Sequence, residues 1–122
     1  MRRDVLLIED EPHIAEAIRY ILARDGWEVA AHADGASAMT AILACSPRLV
    51  ILDVMLPGRS GFDILKDMRD EPATRAIPVL MLTARSQLKD RELAERLGAS
   101  RFVAKPFSNA DMLAAVRELA GG

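Results

Sequence analysis

The amino-acid sequence predicts a three-layer α/β fold, in which helices cover both faces of a five-stranded parallel sheet. Three short runs of apolar residues do not alternate with polar ones, which is typical of strands buried on both faces. Helical apolar patterns fill the gaps between the strand candidates, so a β-α unit is repeated five times along 122 residues. Right-handed crossovers then favour the doubly wound strand order 2-1-3-4-5 over a barrel, which needs eight strands.

Five segments are strand candidates, and they differ in polar content. The three that are wholly apolar are predicted to lie in the middle of the sheet. The segment WEVAAHA alternates, with Trp27, Val29 and Ala31 on its apolar side, so it is predicted to lie nearer an edge. RFVA begins with a charged residue and is also predicted to be an edge strand. In chain order the candidates span residues 5–8, 27–33, 49–52, 79–82 and 101–104.

Each helix candidate has an apolar face or a recognisable start or end. The first begins at Pro12 and ends before Gly26. Gly98 is a natural end for the fourth, and Ser108 with Asp111 forms a capping signature for the fifth. The apolar face of the first is made of Ile14, Ala17, Ile18, Ile21 and Leu22, and the other candidates span 36–45, 62–69, 86–97 and 108–119.

Composition excludes several classes of protein. The formal net charge is −2 and no basic patch is present, so we expect no direct nucleic-acid binding by this domain. The apolar run near the start is too short for a signal peptide or a membrane span. Cys45 is the only cysteine, which excludes a disulfide framework and suits a reducing compartment. We therefore expect a cytoplasmic, single domain over residues 1–122, either free-standing or the first part of a longer chain.

One edge of the predicted sheet collects reactive side chains. Parallel strands all point the same way, so the residues that follow them share one edge. Glu9 and Asp10 follow the first strand, and Asp53 follows the third. Thr83 follows the fourth and Lys105 the fifth, whereas the second strand contributes nothing comparable. Because the winding reverses between strands 1 and 3, we expect these groups to surround one ligand-binding crevice.

Clustered carboxylates are unfavourable alone, because each raises the cost of ionising the next. A hard divalent cation such as Mg²⁺ removes that cost and takes one or two carboxylates together with phosphate oxygens. A carboxylate beside such a metal can attack phosphorus and become an aspartyl phosphate. A nearby ammonium and hydroxyl would stabilise the charge on the transferring group. The pattern therefore predicts a magnesium-dependent phosphoacceptor site.

Four segments that together span nearly the whole chain carry distinctive motifs: LLIEDEP (6–12), VILDVMLPGRSGFD (50–63), PVLMLTAR (78–85) and LGASRFVAKPF (97–107). Together they resemble the receiver domains of bacterial two-component response regulators. The resemblance implies a flavodoxin-like, CheY-like (βα)5 sandwich that acts as a switch. Such a domain accepts a phosphoryl group from a sensor histidine kinase or a phosphotransfer protein. It then changes the face formed by its fourth helix, fifth strand and fifth helix, which controls an output domain or partner protein, sometimes through a homodimer.

By this resemblance Asp53 is the phosphoacceptor and also a metal ligand. Asp10 would bind Mg²⁺ directly and Glu9 through water, while the backbone carbonyl of Met55 would complete the protein ligands. The alternative for Asp53 is an ordinary aspartate at the end of a strand. The alternative for Glu9 and Asp10 is a pair of solvated acids near the start of a helix.

The resemblance also assigns groups that would contact the phosphoryl group. Thr83 would donate a hydrogen bond to it and Lys105 would pair with it, and the Lys105–Pro106 peptide would be cis. Phe102 would be the switch aromatic, which turns inward when Thr83 moves. The alternatives are a capping threonine, a surface lysine and a core phenylalanine, and the last is compatible with a switch. The helix that follows Thr83 has few apolar residues, so we expect few contacts to anchor it and its displacement to cost little free energy.

Two segments depart from the family pattern. GASR at 98–101 replaces the frequent Gly-Ala-Asp-Asp, whose acids form salt bridges across a symmetric dimer in the winged-helix class. Ser100 and Arg101 therefore predict that the usual charge pattern of that dimer is absent. The acid pair is Glu-Asp rather than Asp-Asp, which still suits a metal. Met55 and Arg85 resemble residues of slowly dephosphorylating members and predict a long-lived phosphoryl state.

Three other functions fit the sequence less well. An aspartyl-phosphate hydrolase needs a second aspartate two residues after its nucleophile, where this chain has Met55. A nucleotide-binding domain needs a glycine-rich phosphate loop, which is missing after the first strand. A phosphorylation-independent interaction module of the same fold would have no use for Asp53, Thr83 and Lys105 together. A signalling switch rather than a turnover enzyme is the interpretation that uses all three.

Overall fold

The order of secondary-structure elements follows the predicted β-α repeat. The computed structural model describes residues 4–84 and 88–121, in which five strands alternate with five helices. Over these ranges, none of the helices has the length and apolar composition needed to cross a membrane. The elements are β1 (Val5–Ile8), α1 (Pro12–Arg24), β2 (Val29–His32), α2 (Ala38–Cys45), β3 (Leu49–Asp53), α3 (Gly61–Asp70), β4 (Val79–Ala84), α4 (Leu88–Leu97), β5 (Arg101–Lys105) and α5 (Asn109–Ala120).

The strands are parallel and lie in the order β2-β1-β3-β4-β5. This confirms the predicted doubly wound topology, with β1 and β3 adjacent where the winding reverses. Ile8 pairs with Leu52, and Thr83 pairs with Ala104. The carboxyl ends of β1, β3, β4 and β5 therefore meet at one edge of the sheet, which is where a fold of this kind binds ligands.

Two apolar cores, one on each face of the sheet, hold the three layers together. Leu7 and Ile51 pack with α1 and α5 on one face. Ile8 and Leu52 pack with α2, α3 and α4 on the other face. All four side chains are fully buried, and each contributes about 1.5–3 kcal/mol relative to an exposed position. Because both faces are covered, β1 and β3 are apolar throughout and their residues do not alternate.

Three strands extend further at their carboxyl ends than the apolar runs predict. β3 ends at Asp53, β4 continues through Thr83 to Ala84, and β5 ends at Lys105. Backbone pairing continues past the last apolar side chain, as the pairing of Asp53 with Leu82 illustrates. The candidate site residues on these strands are therefore held by the sheet itself rather than by the loops after it.

Two alanines differ from the prediction. Ala31 is exposed, although the alternation assigns it to the apolar side, because β2 is an edge strand with only one neighbour. Ala17 is also exposed, and Ala15 packs against the core in its place. α1 is anchored by the fully buried Ile18 and Leu22, so its buried stripe leaves Ala17 on the margin of the helix, near the start of α5.

α4 is held to the rest of the fold by few side chains. Ala94 is buried, whereas Leu93 and Leu97 are half-buried. The predicted start of this helix at residue 86 lies outside the residues that the structure describes. Within the described part, the sparse packing agrees with the expectation that this helix is weakly anchored.

Candidate functional site

Three carboxylates meet at the carboxyl edge of the sheet. Glu9 directly follows β1 and is 2% exposed, and Asp53 ends β3 and is 4% exposed. Asp10 is exposed to solvent beside them. One carboxylate oxygen from each residue lies within 4.8 Å of the others. The structure therefore brings together the three acids that the strand order predicts to converge.

Lys105 bridges the two buried acids. Its Nζ atom is 2.8 Å from Glu9 Oε1 and 3.2 Å from Asp53 Oδ2. Burial raises the pKa of the Glu9 carboxyl, and the hydrogen bond from Lys105 only partly opposes this rise. Burial acts to lower the pKa of Lys105, but its hydrogen bond with Glu9 and the charge of Asp53 outweigh that effect and raise it. The ammonium is thus the counter-charge that keeps two neighbouring carboxylates at one edge.

Met55 contacts the phosphoacceptor candidate through its backbone. Its N–H donates to Asp53 Oδ1 at 3.3 Å, while Asp53 Oδ2 pairs with Lys105. The side chain of Met55 is 68% exposed. Both oxygens of Asp53 therefore have defined partners, the N–H of Met55 and the ammonium of Lys105.

Two other predictions concern neighbours of the site. The Lys105–Pro106 peptide is cis, as predicted. Arg85, the other residue expected to affect phosphoryl lifetime, lies outside the described residues.

Thr83 carries a buried hydroxyl without a partner. The residue is 6% exposed, and its Oγ1 atom makes no hydrogen bond to any residue that the structure describes. Buried polar groups are rarely left unpaired, because the lost hydration is not replaced. The hydroxyl lies on β4, next to the strand that carries Lys105. A donor without an acceptor is therefore held at the same edge as the acids.

Phe102 lies on β5 between the site and α4. The ring is half-buried and packs against the core on the α2, α3 and α4 face. The guanidinium of Arg91, on α4, stacks 4.2 Å from the centre of the ring, a favourable cation–π distance. Phe102 thus has both of the environments expected for it, a core contact and a position beside a weakly anchored helix.

Sequence reasoning missed a polar cluster at the end of β2, which was expected to contribute nothing comparable. His32 Nε2 lies 2.8 Å from Ser37 Oγ, which donates to Asp34 Oδ2 at 3.0 Å. The backbone carbonyl of His32 accepts from Glu9 N–H at 3.0 Å, so this cluster adjoins the acids. The detectable signal was Asp34-Gly35-x-Ser37 directly after a strand, a pattern typical of an aspartate that caps its own turn.

The start of α1 bears on the alternative of solvated acids near the start of a helix. The buried Glu9 does not fit that alternative, whereas the exposed Asp10 does. Glu11 caps this helix, because its Oε1 accepts from His13 N–H at 2.9 Å. Glu11 is exposed. Glu9 Oε2 instead accepts from Glu11 N–H at 3.1 Å, which orients the buried carboxylate. The capping role therefore belongs to the third acid of the run, and the first is held within the candidate site.

The two residues that depart from the family pattern bond within the chain. Ser100 Oγ accepts from Val79 N–H at 3.1 Å. Arg101 forms an ion pair with Glu118 on α5. These contacts use the side chains that replace the usual acidic pair, so the face formed by α4, β5 and α5 has its own charge arrangement.

The donor set fits a hard divalent cation. Mg²⁺ prefers oxygen ligands and is usually bound by one or two carboxylates with the remaining positions filled by water or phosphate. Glu9, Asp10 and Asp53 offer such oxygens in one cluster, and no histidine or cysteine belongs to it. The exposed Asp10 leaves the cluster open to solvent on one side. The arrangement can therefore accept a small hydrated cation and an anionic group beside it.

Comparisons with known proteins agree with this geometry. The family model for the response regulator receiver domain matches residues 5–117. The DNA-binding response regulator MtrA of Mycolicibacterium smegmatis is 38% identical over 117 residues, which are 96% of this chain and 50% of that protein. The probable transcriptional regulatory protein TcrX of Mycobacterium tuberculosis is 39% identical over 115 residues, 94% of this chain and 48% of that protein. The chain thus spans about half the length of these relatives.

Solved structures have the same fold. The receiver domain of the sensor histidine kinase PA1611 from Pseudomonas aeruginosa, described with a magnesium ion in its active site cleft, is 27% identical with a TM-score of 0.89 and covers 100% of both chains. The chemotaxis protein CheY4 of Vibrio cholerae is 26% identical with a TM-score of 0.87, covering 98% of this chain and 99% of that one. The family match over nearly the whole chain, together with this shared fold, establishes that the chain belongs to the response regulator receiver domain family.

Proposed function

We propose that this receiver domain is a phosphorylation-activated signalling switch. It accepts a phosphoryl group on Asp53 from a sensor histidine kinase or a phosphotransfer protein, in a reaction that depends on Mg²⁺. The observation that supports this most is the contact of a buried carboxylate, Asp53, with the ammonium of Lys105 beside two further acids. Such a group of charges is unfavourable for a merely structural edge and suits the binding of a metal and a phosphoryl group.

The metal would be held by Asp10, Asp53, the backbone carbonyl of Met55 and, through water, Glu9. When bound, Mg²⁺ would neutralise these acids and the oxygens of the transferring group. The proximity of the three carboxylate oxygens, within 4.8 Å of one another, supports this assignment. The magnesium ion described for the PA1611 receiver domain supports it by analogy.

Asp53 would act as the nucleophile. One carboxylate oxygen attacks phosphorus and an acyl-phosphate bond forms, while the bond from phosphorus to the donor imidazole nitrogen breaks. The electron pair of that bond stays on the imidazole, which takes up a proton from water. Lys105 would pair with the phosphoryl group, since its Nζ already contacts Asp53 Oδ2. Thr83 would donate to a phosphoryl oxygen, which is the acceptor that its buried hydroxyl lacks. Both groups then stabilise charge that arrives with the phosphoryl group.

The donor would dock beside the acids, on the apolar groove between α1 and the start of α5. This groove, of about 510 Å³, is lined by the exposed Ala17 and by Ile14, Ile21 and Phe107, and Lys105 forms part of its wall. A protein that delivers a phosphoryl group to Asp53 must cover this edge of the sheet, so the continuity of the groove with the site supports the phosphodonor as its occupant. The groove also gives a role to Ala17, the exposed apolar residue of α1 that lines it.

The output would run through the α4-β5-α5 face. Movement of Thr83 toward the phosphoryl group would free space for the Phe102 ring to turn inward. The guanidinium of Arg91 stacks on this ring, so the turn would also move α4, on which Arg91 lies. An output domain or a partner protein would read this face, and phosphorylation would favour a homodimer. The ion pair between Arg101 and Glu118 requires that such a dimer use a different charge pattern from the usual one. The cytoplasmic location, the single-domain division over residues 1–122 and the absence of direct nucleic-acid binding stay predictions.

Intact-mass measurement after incubation with Mg²⁺ and a small acyl-phosphate donor tests the proposal. We expect the wild type to gain one phosphoryl group and Asp53→Asn to gain none. Asp63→Asn removes an exposed aspartate from the first turn of α3 and is the matched control, which should be labelled as the wild type is. A chelator should abolish the gain. An unlabelled wild type would favour the interaction module, and rapid steady turnover of the donor would favour the hydrolase.

A further inference from the structure

The loop between β2 and α2, residues 33–37, is organised by its own side chains. Asp34 Oδ1 accepts from Ala36 N–H at 3.1 Å, and Oδ2 accepts from Ser37 Oγ at 3.0 Å. Since the Ser37 proton points to Asp34, His32 Nε2 carries a hydrogen and donates to Ser37 Oγ. The hydrogen bonds from Ala36 and Ser37 lower the pKa of Asp34. The carboxylate therefore fixes the loop from inside.

This loop packs directly against the loop between β3 and α3, residues 54–60. Gly35 N–H donates to the carbonyl of Pro57 at 3.0 Å. Gly35 is buried, and a Cβ atom there would overlap the carbonyl oxygen of Arg59. On the other side, a Cβ on Gly58 would lie 3.1 Å from Asp34 Oδ1. The two backbones thus approach closely, and the glycines leave no room for a side chain between them.

The second of these loops is tied to the end of the strand that carries Asp53. Met55 N–H donates to Asp53 Oδ1 at 3.3 Å, and Gly61 N–H donates to the carbonyl of Val54 at 2.9 Å. A shift of the loop at Pro57 is therefore transmitted to the backbone of Met55, two residues away, rather than absorbed by a free segment. The hydrogen bonds of Met55 and Gly61 hold the two ends of this loop, whereas the contact with Gly35 holds its middle, at Pro57.

We propose that Asp34 and Gly35 are positioning residues for metal binding, which hold the β3–α3 loop where the Met55 carbonyl completes the ligands of Mg²⁺. This inference rests on the proposed function. It concerns affinity for the metal rather than the attack of Asp53, because neither residue contacts the acids. Outer residues that orient metal ligands typically alter affinity by about 10–100-fold when they are replaced.

Calorimetric titration of the unphosphorylated protein with Mg²⁺ alone, together with the rate of phosphorylation by a small acyl phosphate measured against Mg²⁺ concentration, tests this role. Gly35→Ala inserts a methyl group between the two loops, and Gly26→Ala is the matched control. Gly26 has φ +91° and no atom within 4 Å of an added Cβ, so alanine there strains the backbone without displacing a loop. We expect Gly35→Ala to raise the half-saturating Mg²⁺ concentration about tenfold, with the rate at saturating Mg²⁺ close to that of the wild type. Gly26→Ala should leave both values unchanged.

A second pair keeps the test decisive if Gly35→Ala does not fold. Asp34→Ala removes the acceptors of the loop, whereas Asp34→Asn keeps one carbonyl oxygen and should restore most of the affinity for Mg²⁺. Wild-type Mg²⁺ dependence in Asp34→Ala, or an equal shift in Gly35→Ala and Gly26→Ala, would overturn the positioning role alone. A wild type that is not labelled at any Mg²⁺ concentration would overturn the proposed function itself.

Discussion

Replacement of Thr83 by valine tests two properties of its hydroxyl: the cost of burying it without a partner, and its proposed hydrogen bond to the phosphoryl group. Thr83 Oγ1 is buried without a partner among the described residues, and such a group costs about 1–3 kcal/mol relative to a satisfied one. Valine has nearly the same shape, and it replaces the hydroxyl by a buried methyl group. We therefore expect Thr83→Val to raise the free energy of unfolding of the unphosphorylated protein by about 1–2 kcal/mol.

Thr74 is the matched control, because it is the other buried threonine whose environment the structure describes. It is 1% exposed, and its Oγ1 donates to the carbonyl of Met68 at 2.7 Å. Thr74→Val removes a made hydrogen bond and leaves a carbonyl unpaired, so we expect it to lower the free energy of unfolding by about 1–2 kcal/mol. The two substitutions are chemically identical and should have opposite signs.

Urea unfolding of the wild type and both variants, without Mg²⁺ or a phosphodonor, measures these effects. After phosphorylation, the wild type should gain more stability than Thr83→Val, because only its hydroxyl can donate to the phosphoryl group. If Thr83→Val destabilises the resting protein as much as Thr74→Val does, the hydroxyl is already satisfied. The assignment of Thr83 as a donor waiting for an acceptor would then be wrong.

Three further changes have defined outcomes. Burial raises the pKa of Glu9, so its ionisation opposes folding. The contribution of Glu9 to the stability of the metal-free protein should therefore fall as pH rises above about 4.5, and urea titrations across pH should show the stability of Glu9→Gln, relative to the wild type, rising over that range. The Arg69 guanidinium donates to three main-chain carbonyls, including that of Gly98 at the end of α4, so Arg69→Met should lower the free energy of unfolding by about 1.5–3 kcal/mol. Hydrogen bonds from Arg117 lower the pKa of the half-buried Asp25, so their stabilisation is lost as pH falls below about 3.8, and thermal unfolding of Asp25→Asn should depend less on pH there.

The architecture and the convergence of the acids could be predicted from local patterns. Apolar runs without alternation identify buried strands, and helical spacing identifies the elements between them, because burial leaves a periodic trace in the chain. Once the strands are parallel and doubly wound, Glu9, Asp53 and Lys105 must share an edge. This convergence requires only the strand order and direction, so the sequence was sufficient to predict the candidate site.

Contacts across long stretches of chain required the tertiary structure. The bridge from Lys105 to Glu9 joins residues 96 positions apart, and nothing in either neighbourhood specifies its distance. The hydroxyl of Thr83 is unpaired because none of the described residues places an acceptor beside it, and that follows only from the folded structure. The packing of Gly35 on Pro57 likewise requires that two loops from different β-α units come together. Which side chains reach the edge of the sheet follows from local patterns in the chain, because backbone periodicity and strand direction are local properties. Only the folded chain decided which of them touch, because hydrogen bonds and close packing are set by positions that distant segments reach together.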